Sequence, residues 1–143
     1  MPDDFLKNMS IKMRAEGWQK TLADNEVFKL IATVDNKVVG FVSSGPADEK
    51  SGEFGDGEVY AIYVLAEHYR QGVGRVLFSR AAQNWVGKGG KSLVVSFIAQ
   101  NKRAVKFYRS MGGIEVGNGD VEISGAVIPE KIDVFRSLAT LTP

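Results

Sequence analysis

The sequence predicts an α+β fold, with a mixed, mostly antiparallel twisted sheet built around one parallel βαβ unit. Three observations carry that prediction. The strand-like residues 58–64 lead into a turn holding Gly72 and Gly74, then into apolar residues Val73, Val76, Leu77, Ala81 and Trp85 at the spacing of one helix face, then into the β-rich residues 92–98. Two strands joined through a helix in this way run parallel, with a right-handed crossover. Residues 27–34 and 37–43 are β-rich on either side of Asp35-Asn36, which reads as a hairpin turn, and residues 114–123 and 126–135 form a second such pair around Ser124-Gly125.

Taken in order, the chain opens with residues 2–9, which read as a short helix with Pro2 in its first turn. Ser10 reads as the N-cap of a second helix, in which Ile11, Ala15, Trp18 and Leu22 make an apolar stripe and Trp18 packs into the core. After the first hairpin, residues 45–57 form a polar, glycine-rich loop with Pro46 and four acidic residues, predicted to be a mobile surface loop that either lines an acceptor site or merely links. The helix that follows Gly74 is expected to end near Lys88, stopped by Gly89-Gly90. Gly87-Lys88-Gly89-Gly90 follows a helix rather than opening one, so it is not a phosphate loop. Pro129 predicts that the last strand is an edge strand or bulges near its start.

A chain of 143 residues with 44% hydrophobic and 24% charged residues is one ordinary globular domain, expected to span residues 1–143. A net charge of +1 gives no reason to expect a nucleic-acid partner, and no apolar run reaches the length of a membrane span. The acidic start, Met1-Pro2-Asp3-Asp4-Phe5, has no signal-peptide character. With no cysteine, disulfides, thiolate metal ligands and a cysteine nucleophile are excluded, and the cytoplasm is the default location. A single histidine, His68, excludes a multi-histidine metal site.

Gly72 and Gly74 stand where a buried strand becomes a helix. A helix start offers unpaired N–H groups and the positive end of the dipole, which together favour an anion. Arg70 and Arg75 flank the turn and add charge-assisted donors. The spacing is neither of the two common phosphate motifs: Leu77 stands where the dinucleotide fingerprint needs glycine or alanine, and Gly-Lys-Ser/Thr is absent. Taken alone, the stretch reads either as a phosphate site or as a tight turn without a ligand.

In context, His68-Tyr69-Arg70-Gln71-Gly72-Val73-Gly74 resembles motif A of the GNAT superfamily of N-acetyltransferases, Gln/Arg-x-x-Gly-x-Gly/Ala between the fourth strand and third helix. The departure is Tyr69, which stands in place of Gln or Arg; one pyrophosphate contact is thereby missing, with Arg70 or Arg75 as substitutes. Asn101 followed by Lys102-Arg103-Ala104-Val105-Lys106-Phe107-Tyr108-Arg109-Ser110-Met111-Gly112-Gly113 resembles the family's motif B. The resemblance covers residues 27–135. It implies helices on both faces of the sheet and two parallel strands that splay apart to admit the pantetheine arm of acetyl-CoA, with no metal.

By the same resemblance, the backbone at Ile62, Tyr63 and Val64 binds pantetheine and polarises the thioester, and Arg70, Gln71, Gly72, Val73, Gly74 and Arg75 bind the pyrophosphate. Asn101 bonds the pantetheine arm or caps the helix that follows it. Tyr108 aligns with the tyrosine that protonates the departing thiolate; its other reading is an aromatic helix face in the core. Glu58 is similar to a glutamate used as base, often through water, or is a solvated strand end. His68 reads as a loop-surface residue.

Acetyl transfer to an amine needs a proton acceptor for the amine, donors for the oxyanion and a proton for the leaving thiolate. Without cysteine, and with the one histidine inside the glycine motif, direct attack in a ternary complex is the natural mechanism. The expected acceptor is a primary amine, on a small molecule or a peptide. The rivals are acetylation of a protein lysine or N-terminus, a non-catalytic acyl-coenzyme A sensor and, more distantly, a nucleotide-binding module. Only 26 residues precede Val27, and they are helical in pattern, so the family's usual first strand and helix are expected to be missing. That leaves residues 27–34 with an unpaired apolar edge, from which a homodimer is expected. The alternatives are an N-terminal helix folded over the edge, or a chain start upstream of Met1.

Overall fold

The structure, a computed structural model, describes residues 9–13 and 27–138. Seven strands form one sheet: β1 (Met9–Met13), β2 (Phe28–Val34), β3 (Lys37–Pro46), β4 (Gly57–Val64), β5 (Leu93–Ile98), β6 (Ile114–Ile123) and β7 (Ala126–Phe135). Among the described residues two helices of more than one turn accompany them, α1 (Val73–Gly87) and α2 (Lys102–Ser110). The strand order is β1-β2-β3-β4-β5-β7-β6, and only β4 and β5 run parallel. This is the α+β class expected, and no described helix is long and apolar enough to cross a membrane.

Both hairpins close through two residues with positive φ, Asp35 and Asn36 in one, Ser124 and Gly125 in the other. That backbone matches the right-handed twist of the flanking strands, so the registers Val34↔Lys37 and Ile123↔Ala126 follow from turn chemistry. The face of the sheet that carries both described helices holds the main core. There α1 buries Val73, Val76, Leu77, Phe78, Ala81 and Ala82, and α2 buries Tyr108. The opposite face carries a smaller cluster of Val94, Ile132 and Val134 with Phe54 and Val116. Of the residues 2–9 expected to be helical, only Met9 is described, and it belongs to β1; the expectation of a helix on the opposite face and the placement of Ala15, Trp18 and Leu22 fall outside the described residues.

Three expectations are corrected. Ser10 and Ile11 belong to a strand, not to a helix: β1 pairs antiparallel with β2 from Met9↔Val34 to Met13↔Leu30. Met9, Ile11 and Met13 alternate with Ser10 and Lys12, a period of two that a short segment easily hides inside a helical stripe. The domain therefore does have a strand ahead of β2, and the unpaired β2 edge that motivated a homodimer does not exist. Second, β7 is an interior strand between β5 and β6. Pro129 is tolerated because β5 stops pairing at Ile98↔Glu130, so no ladder bond is asked of the missing N–H; its carbonyl accepts from Ala99 N–H at 2.9 Å. Third, the loop between β3 and β4 is anchored. Asp56 accepts from Trp85 Nε1 at 3.0 Å and from the backbone N–H of Ser92 at 2.9 Å, which holds its carboxyl below the usual range against the opposing effect of burial, the largest single influence.

Candidate active site

The parallel strands separate almost at once. β4 and β5 pair only at Gly57↔Leu93 and Glu58↔Val94, although β4 runs on to Val64 and β5 to Ile98. The cause lies in β4. Ser43 and Ser44 are adjacent in β3 but face Ala61 and Val59, so Tyr60 is an extra residue. A bulge of this kind bends a strand and sharpens its twist, and this one sits just beyond the last β4–β5 pair. Meanwhile β7 pairs with β5 along its whole length and holds it away.

The opening is a cavity of ≈ 350 Å³ that passes through the sheet. On the helix side it is lined by Ile62, Asn101, Ala104 and Tyr108, and on the other side by Phe41, Tyr60, Tyr63 and Ser96. The wall supplies backbone donors. Leu65 N–H donates to Val39 on β3 at 2.9 Å, so strand alternation turns the N–H groups of Ile62 and Val64 the other way, toward the space that β5 has left. The Tyr63 carbonyl faces β3, where a Cβ on Gly40 would lie 2.7 Å from it. Of the three backbone positions expected from the sequence, Ile62 and Val64 thus present donors to the gap, while Tyr63 presents its side chain.

Beyond β4, a single 3-10 turn (Ala66–His68) leads to Tyr69 and then to α1. Gly72 is the N-cap, at φ +89°, and no side chain caps the helix. Arg70 also takes positive φ, +62°, a strained backbone for arginine. With no side-chain cap, the first N–H groups of α1 are left for an outside acceptor. Gly74 has a different reason to be small. A Cβ there would lie 3.2 Å from Phe107, so this glycine lets α1 and α2 approach each other. Gln71 Oε1 accepts from His68 Nδ1 at 3.0 Å, which ties the one histidine into the loop.

Tyr108 is 6% exposed and packed by rings: Phe97 at 4.8 Å, Phe107 at 5.2 Å and Phe135 at 6.1 Å between centroids. The same side chain lines the cavity and joins the aromatic core, so its packing does not exclude the catalytic reading. Burial, with the nearby Asp133 carboxyl adding to it, pushes the phenol up to about 12, so it stays protonated and can donate near neutral pH. Asn101 does cap α2, its Oδ1 accepting from Ala104 N–H at 3.1 Å, and it also lines the cavity. Glu58 stands at the last β4–β5 pair, outside the cavity lining. Its Oε1 accepts from Asp48 N–H at 3.2 Å, and partial burial raises its carboxyl above the usual range against that bond. It is neither a plain solvated strand end nor in direct view of the gap.

Two residues escaped the sequence. Asp133 is fully buried on the helix side; its Oδ2 lies 3.4 Å from Arg109 Nε, and its Oδ1 has no partner. Burial raises its carboxyl, while Arg109 works in the opposite direction. Arg103 sits with its guanidinium carbon 4.1 Å from the centre of the Tyr69 ring. Nothing in the local pattern announces either one, since each depends on a partner more than twenty residues away. Among the described residues, no three His, Asp or Glu side chains are grouped to hold a metal ion.

The sequence profile of the Acetyltransferase (GNAT) family matches residues 2–113. The chain belongs to that family. It is 33% identical over 130 residues to the uncharacterized N-acetyltransferase YuaI of Bacillus subtilis (strain 168), covering 91% of this chain and 73% of that one. The fold is shared with yncA of Salmonella typhimurium, solved with its cofactor acetyl-CoA, at a TM-score of 0.75 and 16% identity over 90% of this chain and 94% of that one. It is likewise shared with the ribosomal-protein-S18-alanine N-acetyltransferase of Escherichia coli, at a TM-score of 0.70 and 17% identity over 90% and 93%.

Proposed function

We propose that the protein transfers an acetyl group from acetyl-CoA to a primary amine, on a small molecule or a peptide, by direct attack in a ternary complex. The observation that carries this reading is the gap between β4 and β5, edged by the N–H groups of Ile62 and Val64 and by Tyr108, together with the uncapped start of α1 that follows β4 in the chain. The diphosphate would lie on that start, between Arg70 and Arg75, against the N–H groups of residues 71–75. The pantetheine arm would run along β4, with the Asn101 amide as a donor beside it. The amine would enter from the opposite face, past Phe41, Tyr60 and Tyr63.

The neutral amine nitrogen attacks the thioester carbonyl carbon. The oxyanion forms at a backbone N–H of β4, a donor fixed before the reaction begins. Glu58 takes the amine proton through water, since its carboxylate stands outside the gap, and its raised pKa makes it a better-matched base. When the carbon–sulfur bond breaks, the sulfur leaves with the electron pair and the Tyr108 hydroxyl donates to it. With a pKa near 12 the phenol is a poor acid toward a free thiolate, so it acts as a hydrogen-bond donor that yields its proton only as the bond breaks. An acyl-enzyme is hard to build here, because the chain has no cysteine and its one histidine, His68, is tied to Gln71 in the loop.

The test is a thiol-release assay with acetyl-CoA against a panel of small amines, amino-terminal peptides and lysine peptides. Turnover with a small amine supports the reading. Turnover with peptides alone moves the acceptor to proteins. Coenzyme binding with no turnover on any amine makes the protein a sensor.

A further inference from the structure

Tyr69 breaks the family pattern, and its neighbour suggests why the break is harmless. The residue stands three positions before Gly72, and the Arg103 guanidinium lies over its ring at 4.1 Å, the geometry of a cation–π contact. Arg103 is the second residue of α2, so the contact brings a cation from one helix start to the foot of the other. The two helices are already close there, with Gly74 against Phe107.

The charges around this junction are one-sided. Arg70, Arg75, Lys102 and Arg103 are all exposed, and among the described residues none of them forms an ion pair. The first turns of both helices lack an acidic residue. Cations at the positive end of a helix destabilise it, and a bound polyanion would offset that cost.

We propose that Tyr69 and Arg103 act as one unit in place of the absent Gln or Arg, with the Tyr69 ring holding the Arg103 guanidinium so that its edge donates to the diphosphate of acetyl-CoA. The inference rests on the coenzyme reading above. Arginine suits both contacts, because a planar guanidinium stacks by its face and donates two parallel N–H bonds from its edge. Tyr69 is a positioning residue, and Arg103 touches the ligand.

Calorimetric titration with coenzyme A and with 3′-dephospho-coenzyme A tests this without knowledge of the acceptor. Arg103→Ala is expected to weaken both ligands about ten-fold, with an unliganded melting temperature close to wild type. Tyr69→Leu should weaken both less, and should add nothing on top of Arg103→Ala. Tyr69→Phe, which keeps the ring, should recover most of that loss. Should Arg103→Ala melt low, Arg103→Lys carries the same comparison, since it keeps the charge and stem but not the fork. Wild-type affinity in the Arg103 variants overturns the proposal. A loss seen with coenzyme A but absent with the dephospho form also overturns it, by moving Arg103 to the 3′-phosphate. A wild-type protein that binds neither ligand overturns the coenzyme reading itself, a result distinct from the first two.

Discussion

The two described helices begin side by side, each after one of the two parallel strands, and they begin differently. α2 is closed: the Asn101 side chain accepts from Ala104 N–H and satisfies the turn within the protein. α1 is open: its N-cap is a left-handed glycine with no side chain to offer. A glycine N-cap costs only a few tenths of a kcal/mol against asparagine, but it leaves the first N–H groups of α1 without a side-chain acceptor. The closed helix carries the Tyr108 side chain into the gap, while the open one contributes backbone N–H groups and flanking arginines. In the proposed reading one start serves positioning and the other serves an anion, and the difference can be tested from either side.

The largest expected effect falls on the closed helix. Tyr108→Phe keeps the ring among Phe97, Phe107 and Phe135 and removes only the donor. Turnover in the thiol-release assay should fall by roughly 10²–10⁴, with coenzyme affinity nearly unchanged. Wild-type turnover would return Tyr108 to packing alone.

The same residue gives a pH dependence of fixed sign. Its folded pKa of about 12 lies above the ordinary value of 10.0, so burial favours the protonated form. The stability linked to it is complete below pH 10 and is lost as pH rises from there through 12. A shift of about two units corresponds to roughly 2–3 kcal/mol at the limit. Comparing denaturant midpoints at pH 9 and pH 11.5 should show wild type losing more stability than Tyr108→Phe. Equal losses would mean the phenol ionises as freely as in water.

Tyr108 also shows what the sequence made legible and what it did not. The βαβ unit, both hairpins and the two motifs could be read because each is written in neighbouring residues: an apolar period, a two-residue turn, a glycine before a helix. Asn101 and Tyr108 came with the second motif. The reading failed where the deciding partner is distant or the segment is short. β1 is five residues long, and its pairing depends on the edge of β2. The interior position of β7 depends on where β5 ends, and the Tyr69–Arg103 contact joins residues from two motifs. In local sequence Gly74 reads as allowing phosphate approach; its contact with Phe107, from the other motif, is not legible there.

The Phe107 contact changes how the open helix should be tested. Gly74→Asp would disturb the packing against Phe107 as well as any anion site, so charge reversal at the exposed Arg70 or Arg75 is the cleaner change. Wild type at about a hundred times the dissociation constant of acetyl-CoA should gain roughly 2.7 kcal/mol. Arg75→Glu should weaken binding about ten-fold, so that at the same concentration the gain falls by about 1.4 kcal/mol. Melting curves with and without acetyl-CoA measure both numbers. An undiminished shift in both Arg70→Glu and Arg75→Glu would place the coenzyme elsewhere.

The smallest effect separates the two jobs of Asn101. As a cap it uses Oδ1, and as a wall of the gap it would use its amide N–H groups. Asn101→Ala removes both, and should cost about 1 kcal/mol of stability, or roughly 2–4 °C in melting temperature for a domain of this size. Asn101→Asp keeps an acceptor for Ala104 N–H and puts a negative charge at the positive end of α2, beside Lys102 and Arg103. Its stability should equal or exceed wild type. The amide donors are gone, however, and the new charge faces a polyanionic ligand, so acetyl-CoA should bind several-fold more weakly. A cap with no further duty gives a different pair of results: Asn101→Ala melts low, and Asn101→Asp binds acetyl-CoA as wild type does. In that case the closed helix start is wholly structural, and the contrast with α1 becomes sharper than drawn above.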